Sequence, residues 1–267
     1  MLHLLKLEWL KVRKYRTFQV IVIFYIILLP ACLLITKTFN SIPEDLLSKE
    51  SLYMFPTVWG YLGYIGNWLT FFFLGFLSVI IVTVENNNRT FRQNIITGLS
   101  RNEYFAAKVL FILTICIAAT LYYALVGFAI GFTNTDTIYF SKVFQDADLI
   151  PRFFLMCLGY MSFGFFLGVV IKKTGIALFI YIVYIMFIES VLRGIHMYYI
   201  RNISMHLYPM NANEDLVPIP FSKLAQEFLK ENEFSLFLDP GIAALTVCIY
   251  TSIFLFFAYH KIKYADI

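Results

Sequence analysis

From about Gly60 to Val84, and again from about Phe105 to Gly131, the chain is almost without charge. Each run is long enough to cross a bilayer, which takes roughly 20 apolar residues. In lipid a backbone must satisfy its own hydrogen bonds, which helices and closed barrels alone achieve. Similar runs lie at about Phe18 to Thr36, Pro151 to Ile171, Gly175 to Ser190 and Pro240 to Tyr259. The expectation is an all-α polytopic membrane protein with six transmembrane helices, a single transmembrane domain over residues 1–267. Composition agrees: 60% of residues are hydrophobic and 14% charged, against about 45–50% and 25% in soluble domains. The first apolar run follows a charged stretch of about 17 residues and precedes no A-x-A-like site, so no cleavable signal peptide is expected.

Charge orients the spans. With six crossings and both termini on one side, that side holds 13 of the 21 Lys and Arg but only four of the 17 Asp and Glu. The positive-inside tendency makes it the cytoplasmic side. An odd number of spans would strand one basic terminus outside.

Between the second and third runs sits a polar, basic island, VENNNRTFRQNIITGLSRNE, residues 84–103. Ile95, Ile96 and Leu99 recur in it at helical spacing, the mark of a short amphipathic helix. Gly98 disfavours that helix by about 1 kcal/mol relative to Ala. An apolar ridge with a basic flank suits docking to a soluble partner. The opening segment, MLHLLKLEWLKVRKYRT, puts Leu2, Leu5, Trp9 and Val12 on one face and Lys6, Lys11, Arg13, Lys14 and Arg16 around it. It reads as an interfacial helix along the inner leaflet, its lysines toward anionic lipid headgroups.

Within the spans, Pro30 marks an expected kink in the first. Gly60, Gly63 and Gly66 form a small-residue stripe in the second. GxxxG pairs occur at Gly127/Gly131 and Gly164/Gly168, and such spacing lets helices approach closely. Asn67 suits an interhelix hydrogen bond. Between spans five and six, residues 191–239 turn polar. Phe221, Leu224, Ala225, Phe228 and Leu229 make an amphipathic face there, and a re-entrant part is expected near Glu189 to Ile200.

Chemistry of the common enzymatic kinds is missing. There is no GxxxxGK[ST] phosphate loop, no G-x-S-x-G and no H-E-x-x-H. Cys32, Cys116, Cys157 and Cys248 are isolated within apolar runs and read as packing residues. His196 and His206, with Glu189, Glu214 and Asp215, follow no recognised metal-ligand spacing. Glu189 and Arg193, spaced for a local ion pair, are the one charged pair in the spans and lie near their outer end. A transporter driven by protons would need a more central carboxylate.

The segments LLKLEWLKVRKYRTF and VENNNRTFRQNIITGLSRNEYFAAKVLF resemble the membrane subunits of type-two ATP-binding-cassette (ABC) transporters, in wording closest to permeases of Bacteroidetes-like bacteria. The family pattern runs from an acidic residue through a threonine and basic positions to Ser-Arg and a later Lys. Glu85, Thr90, Arg92, Ser100, Arg101 and Lys108 occupy those places, and Arg89 stands where a glycine is frequent. The resemblance implies a connecting helix at the inner face, including Leu5, Trp9, Lys11 and Arg13. It also implies a coupling helix in the 85–104 loop, with Glu85, Arg89, Thr90, Arg92, Ile95, Ile96, Leu99, Ser100 and Arg101 facing a separate ATPase that binds ATP and Mg. Glu189, Arg193, Phe221 and Phe228 would then belong to an outer gate.

The expected function is the permease of an ATP-driven exporter, a homodimer or a heterodimer with a sibling, binding no cofactor itself and no nucleic acid. Near-absence of charge in the spans suits a hydrophobic or amphiphilic cargo, and a polysaccharide track lined by Tyr and Phe stays open. Two other classes are a non-transporting anchor for an ATPase acting on envelope proteins and a membrane-embedded lipid-modifying enzyme. The latter would need more polar groups within the spans than this chain has.

Overall fold

The structure, a computed structural model, describes residues 2–38, 49–88, 90–200, 203–219 and 237–264. Helices dominate them: α1 (Leu2–Arg13), α2 (Arg16–Thr38), α3 (Thr57–Leu69), α4 (Gly75–Asn87), α5 (Thr90–Ile96), α6 (Arg101–Asn134), α7 (Phe140–Phe144), α8 (Leu149–Ile171), α9 (Thr174–Val183), α10 (Glu189–Tyr199), α11 (Pro209–Asp215) and α12 (Pro240–Lys263). Six stretches are long and apolar enough to cross a membrane: Arg16–Thr36, Thr57–Asn87, Arg101–Asn134, Phe140–Ile171, Thr174–Tyr199 and Pro240–Lys263. The chain is a multi-pass membrane protein.

Helix α8 is the axis of the bundle, packed against α4, α6, α9 and α12. Glycine sets its distance from α4. A Cβ on Gly164 would stand 2.6 Å from the Gly75 carbonyl, and one on Gly168 3.1 Å from that of Val79. The Gly164/Gly168 pair therefore brings two backbones together, as small residues do in lipid. The other small-residue patterns act differently. Gly127 and Gly131 make room for the rings of Trp59 and Phe55, and Gly63 and Gly66 for Val217 and Phe153. Asn67 forms the expected interhelix bond, accepting from the Tyr160 hydroxyl at 2.9 Å.

Spans two and five are each interrupted by one π turn, at Thr70–Leu74 and Tyr184–Ile188. Such a wide turn disturbs the helical hydrogen-bond ladder. At the first of them the Phe71 carbonyl accepts from the Tyr181 hydroxyl at 3.1 Å, and the two rings stack at 5.7 Å.

The basic segments meet at one end of the bundle. Asn87 donates to Thr174 at 3.1 Å, Arg101 to the carbonyl of Lys263, and Lys11 reaches Glu85 at 3.1 Å. We call this the basic end.

At the opposite end the connection between spans five and six dips into the bundle, but not where the sequence suggested. Glu189–Tyr199 continue the fifth span as α10, with Val191, Ile195, Tyr198 and Tyr199 exposed. The piece that enters is α11, most of which is buried. Asn213 donates to the Met156 carbonyl at 3.1 Å and lies against Gly159. Those positions are seven and ten residues into α8, about 10–15 Å at 1.5 Å per residue. The segment enters because most of its polar groups, among them the Asn211 amide and the Asn213 side-chain N–H, find partners there, whereas the apolar side chains of α10 have lipid to face. The amphipathic face of Phe221, Leu224, Ala225, Phe228 and Leu229 lies outside the described residues.

Candidate functional site

The basic end is built around four charged side chains from three segments. Glu8 on α1 is 1% exposed, Lys108 on α6 1% and Glu85 on α4 8%. The Lys108 ammonium lies 2.6 Å from Glu8 and 2.8 Å from Glu85. Lys11 bridges the same two carboxylates at 2.8 and 3.1 Å. The Tyr104 hydroxyl donates to the second oxygen of Glu85 at 2.8 Å. Two cations and two anions close a neutral ring. Burial by itself would lower the Lys11 pKa, but Glu85 and Glu8 outweigh it and hold the ammonium above the usual lysine value. Breaking a buried pair by removing one partner is strongly destabilising, because the remaining charge stays desolvated. The ring therefore locks α1 to the second and third spans.

Helix α5 stands directly outside this lock, and none of its residues is buried. Its end is a glycine-capped turn. Gly98 takes φ +104, its N–H donates to the Ile95 carbonyl at 3.1 Å, and that of Leu99 to Asn94 at 3.0 Å. That pair of bonds is the Schellman arrangement, and it needs a residue free of Cβ strain at Gly98. Gly98 thus ends the helix instead of weakening its interior, and the expected ridge divides. Phe91 packs edge-on against Tyr104, with ring centroids 4.7 Å apart, and Leu99 turns back onto the core. Ile95 is half-buried, Arg92 is exposed, and Ile96 points outward, 75% exposed. Arg89 lies outside the described residues.

Ser100 and Arg101 have structural partners. Ser100 is the N-cap of α6 in a reciprocal capping box with Glu103, satisfying two of the first turn's free donors. Arg101 donates to the last turn of α12, beside a Tyr259-to-Asn102 bond of 3.1 Å. In α1, Leu5 packs on the core, Trp9 is 50% exposed and Arg13 is exposed.

The sequence reading put Glu85 on the coupling face and Lys11 on the connecting helix toward lipid headgroups; the structure buries Glu85 and draws the half-buried Lys11 onto it. It missed Glu8 and Lys108 as a pair. The signal was present: Glu8 is the one acidic residue in the first 43 and sits among five cations.

At the opposite end Glu189 and Arg193 both grip α11 instead of pairing with each other. Glu189 accepts from the backbone N–H groups of Met210 and Asn211 at 3.1 and 2.6 Å. These are orphan donors of a helix start. Arg193 donates to the Asn211 side-chain oxygen. Asp215 accepts from Asn211 at 3.0 Å and from the Leu238 N–H at 3.1 Å. It borders a cavity of about 430 Å³ that Asp146, Asp148 and Arg152 also line. Burial pushes the Asp215 carboxyl up to about 7. His196 bonds Ser204 at 3.0 Å, while His206 lies 3.9 Å from Asp215. Among the described residues no group of three His, Cys, Asp or Glu is placed to hold a metal ion. Phe221 and Phe228 lie outside the described residues.

A family model described as "ABC-2 family transporter protein" matches residues 4–189. The chain belongs to the ABC-2 transporter family. No curated protein matches it. ABC-2 membership makes the chain a transmembrane component of an ABC transporter, a transport part and not itself a catalyst, and it implies an ABC ATPase partner. The match spans α1, the buried ring, α5 and the first five spans up to Glu189.

Proposed function

We propose that this chain is the permease subunit of an ATP-driven exporter, moving a hydrophobic or amphiphilic substrate outward across the inner membrane. A separate ATPase, carrying ATP and Mg, docks on the basic end, which faces the cytoplasm. Two such permeases, identical or sibling, complete the unit.

The observation that carries this reading is an exposed apolar knob joined to a buried lock. Ile96 projects from α5 with Arg92 also exposed, while Phe91 on the same short helix packs on Tyr104. Tyr104 in turn bonds Glu85 in the ring that ties α1 to spans two and three. A push on α5 therefore meets a rigid junction of three segments. Interfaces are anchored by a few well-placed side chains, and Ile96 is the one α5 offers. Ile96→Asp should abolish ATP-dependent flux in proteoliposomes containing the cognate ATPase, with the variant inserting normally. Undiminished flux would overturn the reading. Leu99→Asp is a poorer probe, because Leu99 also packs on the core.

A further inference from the structure

Between the interfacial helix and the second span lies a groove of about 250 Å³, bounded at its inner end by Glu85 and by Thr90 at the start of α5. Its walls are Val12, Phe18, Leu77, Ile80, Ile81 and Val84; Lys11, Tyr15 and Asn88 stand at its polar edge.

Charge says what fits. Arg13, Lys14 and Arg16 sit at the α1–α2 joint, interleaved with groove residues Val12, Tyr15 and Phe18, and all three are exposed. Among the described residues none of them has an acidic partner. The one carboxylate on the groove, Glu85, is already held by Lys11, Lys108 and Tyr104. The uncompensated charge at the edge is positive.

Depth says where the occupant comes from. Helix α1 also exposes Leu7, Trp9 and Leu10, which need an apolar medium. Trp9 meets the groove wall edge-on at Phe18, with ring centroids 6.3 Å apart. Basic segments and apolar aromatics together mark the headgroup boundary, so the groove opens onto lipid.

We propose that this groove binds one anionic phospholipid. An acyl chain lies along Phe18, Leu77, Ile80 and Val84, and the phosphodiester rests among Lys11, Arg13, Lys14 and Arg16. The site adjoins the coupling helix at Thr90, leaves Ile96 free, and holds whether or not the exporter reading does. Because Lys11 belongs to the buried ring, an occupied groove also braces the lock.

The test uses the purified full-length chain in detergent, titrated with phosphatidylglycerol or phosphatidylcholine of equal chain length and read by native mass spectrometry. A single phosphatidylglycerol should be retained at concentrations where phosphatidylcholine is not. Each basic side chain near such a surface contributes several-fold to affinity, so K14Q/R16Q should weaken retention about thirtyfold. Val84→Trp, which fills the groove, should remove it. Should that variant fail to insert, dihexanoyl phosphatidylglycerol decides: its headgroup alone should bind far more weakly than the long-chain lipid. Equal retention of both lipid classes overturns the proposal. So does phosphatidylglycerol binding untouched by Val84→Trp, which would mean only a basic surface, or displacement by millimolar inorganic phosphate, which would mean a free-anion site.

Discussion

Removing the Lys108 ammonium leaves Glu8 and Glu85 buried with only the partly exposed Lys11 between them. Lys108→Met should therefore cost about 3–5 kcal/mol. That corresponds to a fall of roughly 10 °C in the apparent melting temperature of the solubilised chain. Adding Glu8→Gln should recover part of the loss, since a neutral amide tolerates burial without its cation; a double variant no more stable than the single would refute the closed ring. Asp215 sets a pH dependence of the opposite kind to an ordinary carboxylate. Its folded pKa of about 7 lies above the ordinary aspartate value, chiefly through burial, with Glu214 adding to the rise and the Leu238 N–H, Arg193 and Asn211 opposing it. The folded state then holds the proton more tightly, so its contribution is full below the unfolded value and is lost as pH rises from about 4 to about 7. Asp215→Asn should flatten the fall in melting temperature between pH 5 and pH 7.5 by a few degrees. Individual residues were read unevenly from sequence. Ile96 and Arg92 stood out because polar neighbours make an apolar ridge visible. Lys108 did not, because its partners are 23 and 100 residues away and spacing along one helix cannot show them.

At the scale of elements, α5 owes its length to Gly98. With φ +104 and open space around the Cβ position, Gly98→Ala meets backbone strain alone, about 1–2 kcal/mol. The expected result is faster amide exchange at Gly98 and Leu99 with the overall melting temperature little changed; unchanged exchange would mean the cap is not what holds the turn. Helix existence was legible from runs of apolar residues, since the bilayer dictates their length. What a glycine spacing does was not legible. One GxxxG pair brings α8 onto α4, while the other accommodates two aromatic rings, and the spacing is the same. The entry of α11 was also hidden, because its partners Glu189, Met156 and Leu238 come from three other segments.

For the whole molecule, six crossings with both termini on one side assign 13 of the 21 cations of the sequence to that side, a placement labelling can check. In a cysteine-free background, Tyr139→Cys should react with an impermeant maleimide on intact cells and Thr97→Cys only after lysis. Both positions are exposed. Labelling of Thr97→Cys on intact cells would invert the orientation and move the ATPase face with it. The six spans were the most legible layer, being set by hydropathy along the chain. Packing was the least, being set by which side chains meet across it. The bond between Glu8 and Lys108 has a temporal side as well. Its partners are separated by 100 residues, which a ribosome elongating at about 5–20 residues per second spans in roughly 5–20 s. Through that interval the newborn amino-terminal helix has Lys11 as its local counterion and no seat. This helix is thus made about 100 residues ahead of its seat, and any translation product that stops short of the third crossing leaves it adrift on the lipid.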